Sequence, residues 1–176
     1  MAQVAPHGLT LEDLHQRRLQ TPVSTIAREI GHDLSGEIKI GGHYTPVMRD
    51  GQQLFVSGQI PRVGDEVLFV GVLGETLDVA QGKQAAAIGA MRALALLQRT
   101  LGSLEHIAAV LRITVYVRSA AHFTQQSEVA DGASDVLCRV LGPRGVHTRT
   151  SVGVMQLPKG AAVELDMVVT AKEGQP

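Results

Sequence analysis

The chain has 176 residues, 44% apolar and 19% charged, which suits one packed domain with a modest extension rather than two domains. Sixteen Lys and Arg against 17 Asp and Glu leave a formal charge of −1; with two Tyr, three Phe and no Trp, the chain lacks the basic footprint and stacking surface that nucleic acid calls for. No apolar run approaches the roughly 18 residues of a membrane span, and the N-terminus shows no basic-then-apolar leader pattern, so a cytoplasmic location is expected.

Residues 1–40 read as an N-terminal helical extension, 41–173 as the main domain and 174–176 as a C-terminal tail. Thr10 can cap a short helix holding Leu11 and Leu14, with Glu12 and Asp13 in its first turn. Thr21-Pro22, Ile26, Ile30 and Gly31 supply the start, face and stop of a second helix. Its apolar face is narrow, so it is expected to dock on the main domain. Gly36, Gly41 and Gly42 then lead to the first strand.

In the main domain, Val47-Met48, a two-residue turn at Asp50-Gly51 and Leu54-Phe55-Val56 read as a hairpin that ends at Ser57-Gly58, before Pro61. A third strand is expected over Val67–Val70. Asp78 then opens a long helix, Val79 to Leu101, with an apolar stripe through Ala85, Ile88, Met91 and Ala95 and a stop at Gly102. Gly82 and Gly89 lie two turns apart on one side of it. Each costs about 1 kcal/mol relative to Ala unless the helix approaches the sheet closely there. Leu111, Ile113, Val115 and Val117 alternate with Arg112, Thr114, Tyr116 and Arg118 in a half-buried strand. A second helix follows from about Phe123 to Leu141, ended by Gly142-Pro143. It carries Cys138, the one cysteine, in an apolar stretch; this excludes a disulfide framework or a cysteine-cluster metal site and suggests a buried, inert thiol.

The C-terminal part reads as two apolar-alternating strands around Pro158-Lys159-Gly160. Val152 and Val154 alternate with Ser151, Gly153 and Met155, and Val163, Leu165 and Met167 with Glu164 and Asp166. On this reading Arg149 and Glu164 both point away from the core, and Arg149 is removable without loss of the fold. Antiparallel pairing about the turn leaves Arg149 about 20 Å from Glu164 along the hairpin. One site can hold both only if a neighbouring subunit closes the gap. The element order gives an α+β domain: a mixed six-stranded sheet with two helices on one face, its other face in need of cover.

Ordered motifs resemble the RidA/YjgF superfamily, in its longer-chain branch, from about Gly42 to Val169. They are Gly42-His43-Tyr44, Phe55-Val56-Ser57-Gly58-Gln59-Ile60-Pro61, Thr114-Val115-Tyr116-Val117, Gly132-Ala133-Ser134-Asp135, and the run from Arg149-Thr150-Ser151 through Leu157-Pro158-Lys159 to Val163-Glu164. The resemblance implies a chorismate-mutase-like fold, a homotrimer and ligand pockets between subunits. It implies that Arg149 grips a substrate carboxylate and that Glu164 positions or activates the water that hydrolyses an enamine or imine. A guanidinium fork suits the first task, and a carboxylate of raised pKa, next to Asp166, suits the second. Tyr44, Ser57 and Gly58 match pocket-lining positions. No metal and no cofactor is implied. The chain departs from the family pattern at His43, in place of a proline, at Ser151, in place of a cysteine, and at Ser127, in place of a pocket asparagine. His147, on the same side of the strand as Arg149 by parity, is a further pocket candidate.

Each candidate also has an ordinary reading. Strand arginines usually partner surface acids, Glu164 can pair across strands, Tyr44 can anchor an interface, His147 can serve a loop edge, and Ser57-Gly58 can simply end a strand. The leading functional expectation is an enamine or imine hydrolase acting on reactive 2-amino or 2-imino acid intermediates released by pyridoxal-phosphate enzymes. The alternative is a non-catalytic trimeric sensor or regulator that binds small carboxylates. Endoribonuclease activity ranks third, because the charge balance weighs against it. The expected partners are a small-molecule carboxylate and two further copies of the chain, not a membrane or nucleic acid.

Overall fold

Residues 47–59 double back because Gly51 supplies left-handed backbone (φ 58°) at the tip. The computed structural model describes Arg28, Ile38 and residues 41–174. This hairpin forms β1 (Val47–Asp50) and β2 (Gln53–Gln59). Asp50 pairs with Gln53, so the turn is Gly51-Gln52, one residue later than expected. The two helices expected before residue 40 lie outside the described residues, apart from Arg28, which is helical.

The elements that follow are β3 (Arg62–Val63), β4 (Glu66–Val67), α1 (Val79–Leu101), β5 (Ile107–Arg118), α2 (Gln126–Leu141), β6 (Thr148–Val154) and β7 (Val163–Ala171). The main sheet has five strands, ordered β1-β2-β7-β5-β6, not six. The strand expected over 67–70 does not join it. Residues 66–67 pair with 62–63 in a separate ribbon, and Phe69 enters left-handed backbone (φ 53°), which ends the extended run.

The expected C-terminal hairpin is also corrected. β6 and β7 do not pair; they flank β5, β6 in parallel and β7 antiparallel. The reason lies in the connections. β5, α2 and β6 form a strand-helix-strand crossover, which delivers its second strand parallel to the first. β7 buries every second side chain and takes the place between β5 and β2, while β6, with Thr148, Thr150 and Val152 exposed, is left at the edge.

α1 begins and ends where the sequence signals place it. Asp78 accepts from the Gln81 backbone N–H at 2.8 Å, and Gln81 Oε1 accepts from the Asp78 N–H at 3.0 Å, a reciprocal cap worth about 1 kcal/mol. α2 starts at Gln126 instead of near Phe123, because the Phe123 N–H donates to Ala120 in a turn whose carbonyl end receives the Gln126 side chain at 2.8 Å.

Both helices lie on one face of the sheet. Ile113, Val115 and Val117 of β5 and Leu165, Met167 and Val169 of β7 share one core with Met91, Leu94 and Leu97 of α1 and Val129 and Leu137 of α2. A fully buried side chain of this size contributes about 1.5–3 kcal/mol. Gly89 makes the expected helix-to-sheet approach, since a Cβ there would lie 3.1 Å from the Gln59 carbonyl. Gly82 instead faces Leu73 and Val129, each at 2.8 Å, so its approach is to a loop and to α2. Cys138 is only partly buried; burial first and Asp135 second push its thiol up, away from a reactive thiolate. Among the described residues no helix is long and apolar enough to cross a membrane.

Candidate active site in two halves

β2 and β7 slip out of register where the first half of the site begins. Val56 pairs with Met167 but Gln59 with Leu165, so Ser57 and Gly58 form a bulge. Buried Gln59 holds the bulge, its Nε2 donating to the Ser57 and Gly58 carbonyls at 3.0 and 3.1 Å. The Glu164 side chain of β7 lies over Gly58. A Cβ at that position would collide with Oε1 and come within 2.9 Å of Cδ, so Gly58 is needed for close approach and does more than end a strand. These residues line a cavity of about 420 Å³ together with Tyr44, Arg62 and Arg92. Lys159, from the turn before β7, lines it as well.

Burial first and Asp166 second raise the pKa of Glu164. The Asp166 carboxylate itself accepts from the Tyr116 hydroxyl at 3.0 Å. Across the cavity, Arg92 of α1 is only 4% exposed and donates from Nη1 to the Arg62 carbonyl at 2.8 Å. Burial and then the Arg62 charge bring its pKa down to about 10, with Tyr44 acting in the opposite sense. Arg92 is absent from the sequence-based candidates. Its signal was available: it stands four residues from both Ile88 and Leu96, which are buried, so it lies on the apolar stripe itself.

The second half is built by β6 and α2. Arg149 pairs with Ile113, whose side chain is in the core, and in a parallel ladder paired residues share a face. Arg149 therefore points toward the helices, not away from the core. There Nη1 donates to Asp131 and to Ser134 Oγ, each at 2.9 Å, and Nη2 donates to the Ser127 carbonyl at 3.1 Å and to Ser127 Oγ at 2.9 Å. His147 joins through Ser134, its Nε2 3.0 Å from that hydroxyl and its Nδ1 2.6 Å from the Gly145 carbonyl. Burial, first, and the Arg149 charge lower the pKa of His147, against the pull of the Gly145 carbonyl.

Glu164 pairs with Tyr116, whose neighbours Val115 and Val117 face the core, so Glu164 is on the open face of the sheet. Of the expected site residues, Tyr44, Ser57, Gly58 and Glu164 meet in the cavity. Ser127, His147 and Arg149 meet in the other cluster, with Ser151 on the same face of β6. Asp131 and Ser134, which complete that cluster, went unnoticed as site residues because their roles depend on the pairing of β6. Among the described residues no three His, Cys, Asp or Glu gather to hold a metal ion.

The fold and the order of its strands place the chain in a known class: it belongs to the family described as "YjgF/chorismate mutase-like, putative endoribonuclease", which its residues 27–166 match. Protein TCP17 of Trypanosoma cruzi is 38% identical over 148 residues, covering 84% of this chain and 92% of that protein. The crystal structure of Atu1372 from Agrobacterium tumefaciens, a protein of unknown function, is 33% identical and superposes with a TM-score of 0.77 over 85% of this chain and 93% of its own. Escherichia coli TdcF, solved with bound serine, shares the fold at 18% identity and a TM-score of 0.56, over 76% of this chain and 91% of its own.

Proposed function

We propose that the protein hydrolyses enamine or imine intermediates derived from 2-amino acids, at sites shared between the subunits of a homotrimer. The observation that carries this reading is the Glu164 carboxyl group: it lines a cavity, lies over a glycine, and has its proton affinity raised by burial and by Asp166. A raised proton affinity makes such a carboxylate a stronger base toward attacking water. Water adds to the carbon of the C=N bond while Glu164 takes one of its protons. Addition to the protonated imine gives a carbinolamine; the proton passes from Glu164 to its nitrogen, the C–N bond breaks as the hydroxyl oxygen forms C=O and gives up its own proton, and ammonia and a 2-oxo acid leave. The substrate carboxylate is assigned to Arg149 of a neighbouring subunit, because within one chain Arg149 and Glu164 are on opposite faces of the sheet; to take it, Arg149 exchanges some of its bonds to Ser127, Asp131 and Ser134 for the ligand. The open face carries Met48, Phe55 and Val152, each more than 40% exposed, which a second copy would cover. Serine bound to TdcF supports an amino-acid-sized ligand. The near balance of 16 basic and 17 acidic residues gives no support to RNA cleavage.

The test is ammonia release from an imino acid generated in situ. Glu164→Gln keeps the size and one acceptor oxygen but cannot take the proton, so turnover should fall by about a hundredfold or more while affinity for an unreactive carboxylate is retained. Full activity in the variant would remove Glu164 from the chemistry. Carboxylate binding without turnover in the wild type would leave the small-carboxylate sensor as the better reading. Sedimentation as a stable monomer at micromolar concentration would remove the shared site.

A further inference from the structure

We infer that the Glu164 cavity contains a second anion seat, formed by Arg62, Arg92 and Lys159, and that the preferred ligand is a small dicarboxylate, in the reactive case a 2-imino dicarboxylate. The imine rests on the proposed hydrolase; the seat rests on the cavity alone.

Three separate elements deliver these cations to one cavity: Arg62 at the start of β3, Arg92 from the middle of α1, and Lys159 from the turn before β7. In a chain with net charge −1 this is a local excess of positive charge: the one acidic side chain in the same lining, Glu164, has its neutral form favoured by burial, and Asp65, which pairs with Arg62 at 3.5 Å, is exposed and outside the lining. The fold also brings two arginines to the same wall, Arg92 bonded to the backbone of Arg62. Arg92 is 4% exposed and the Arg62 side chain 12%, and they are linked through the Arg62 carbonyl at 2.8 Å. An anion entering between like charges in a poorly hydrated wall is held more strongly than at an exposed lysine, and guanidinium forks suit a carboxylate.

Lys159 is the independent sign. Its backbone is left-handed (φ 58°, ψ 17°), a conformation that glycine adopts freely and lysine does not. Strained backbone of this kind clusters at ligand clamps. A charged side chain is thus kept at a position whose backbone favours glycine, and it lines the cavity opened by the bulge. With Arg149 assigned the carboxylate beside the imine in the proposed reaction, we assign the far end of the ligand to the part of the cavity that these three cations line. A cavity of about 420 Å³ accommodates a small diacid.

The experiment is calorimetric titration of the full chain with 2-oxoglutarate, with 2-oxopentanoate, which lacks the distal carboxylate, and with inorganic phosphate. The dicarboxylate should bind roughly tenfold tighter than the monocarboxylate, and that ratio should fall to about threefold or less in Lys159→Gly and in Arg92→Gln. Lys159→Gly relieves its own backbone, so it keeps the test decisive if Arg92→Gln fails to fold. Equal binding of the two acids, an unchanged ratio in Lys159→Gly, or tighter binding of phosphate than of 2-oxoglutarate would overturn the seat. Dicarboxylate preference that depends on Lys159, with no ammonia released from any imino acid, would sustain the seat and overturn the hydrolase. Ammonia release that ignores the distal carboxylate in both wild type and variants would do the reverse.

Discussion

The two halves of the site use polar residues in different ways. Around Glu164 the polar groups come from a bulge, a turn and one helix wall, and they leave a cavity between them. Around Arg149 they come from β6 and α2, and the guanidinium makes four hydrogen bonds of 2.9–3.1 Å within its own chain. Both arginine and glutamate are plausible ligand contacts on residue type alone. What separates them is how much of their bonding capacity the fold has already used: the first half leaves a cavity between its polar groups, whereas in the second the guanidinium already ties a helix to an edge strand and takes a ligand only by giving up some of those bonds.

Small substitutions at two glycines put that contrast to its strongest test. A Cβ at Gly132, on α2, would collide with the Lys83 carbonyl oxygen and lie 2.7 Å from its carbon. Backbone has no rotamer by which to yield, so α2 must lift from α1 and take Asp131 and Ser134 with it. Gly132→Ala should cost about 3 kcal/mol and lower Tm by about 10 °C. At Gly58 the obstructing atoms are the end of the Glu164 side chain, which can rotate aside. Gly58→Ala should therefore cost less than about 1 kcal/mol while displacing Glu164 and impairing the cavity. Thermal melts in which the two variants behave alike would erase the distinction.

A smaller effect is expected at Arg149. The Asp131 side chain is 11% exposed and that of Arg149 18%, so their 2.9 Å ion pair is largely shielded from water. Truncation takes this partner from Asp131, and Arg149→Ala should destabilise the fold by about 2 kcal/mol, contrary to the expectation of a freely removable side chain. Arg149→Lys should restore about half of that, because an ammonium reaches Asp131 but cannot also span to Ser127. Urea unfolding of the three proteins measures this directly; equal midpoints would mean that the cluster contributes nothing to the fold.

The reversal at Arg149 shows where sequence reading stops. β5 was legible from Arg112 onward because Ile113, Val115 and Val117 alternate with polar residues, although Leu111, expected on the same buried face, is exposed and Val110 buried where the pairing with β7 shifts register; α1 was legible because Asp78, the alanine-rich stripe and Gly102 all agree. β6 has Thr, Arg, Thr, Ser, Val, Gly and Val, with little contrast between its faces, as suits an edge strand. Its orientation depends on whether it pairs with β5 or β7, and that is decided by a crossover through α2, not by the local pattern. Glu164 could be placed because β7 is buried on one face and its alternation is clean. The bulge was invisible, since register against a strand more than 100 residues away leaves no mark in Ser57-Gly58 itself. Arg92 does not stand out in the sequence for the opposite reason: it shares the spacing of the apolar stripe, and burial alone distinguishes it from a surface arginine.

The smallest expected effect separates the two causes that act on His147. A carbonyl oxygen has no proton to give, so the 2.6 Å contact with Gly145 places the ring proton on Nδ1 and leaves Nε2 as an acceptor when the ring is neutral. The Ser134 hydroxyl then donates to Nε2 at 3.0 Å while its oxygen accepts from Arg149 at 2.9 Å. Protonating Nε2 would turn that hydroxyl away and set a second cation near the guanidinium. Because the folded-state pKa is depressed, the neutral ring's contribution to stability is complete above the unfolded value of about 6.5 and is lost as pH falls from there through the lower folded value. Between pH 7.5 and pH 5, His147→Gln should therefore lose less Tm than the wild type, by about 2 °C; equal losses would show that His147 is not held neutral. In an NMR titration of Arg149→Lys, which keeps the charge, the His147 pKa should stay depressed, and in Arg149→Ala it should rise only part of the way, because burial is the larger cause and remains. A complete return to the ordinary histidine range in the alanine variant would mean that the guanidinium, not burial, keeps the ring neutral.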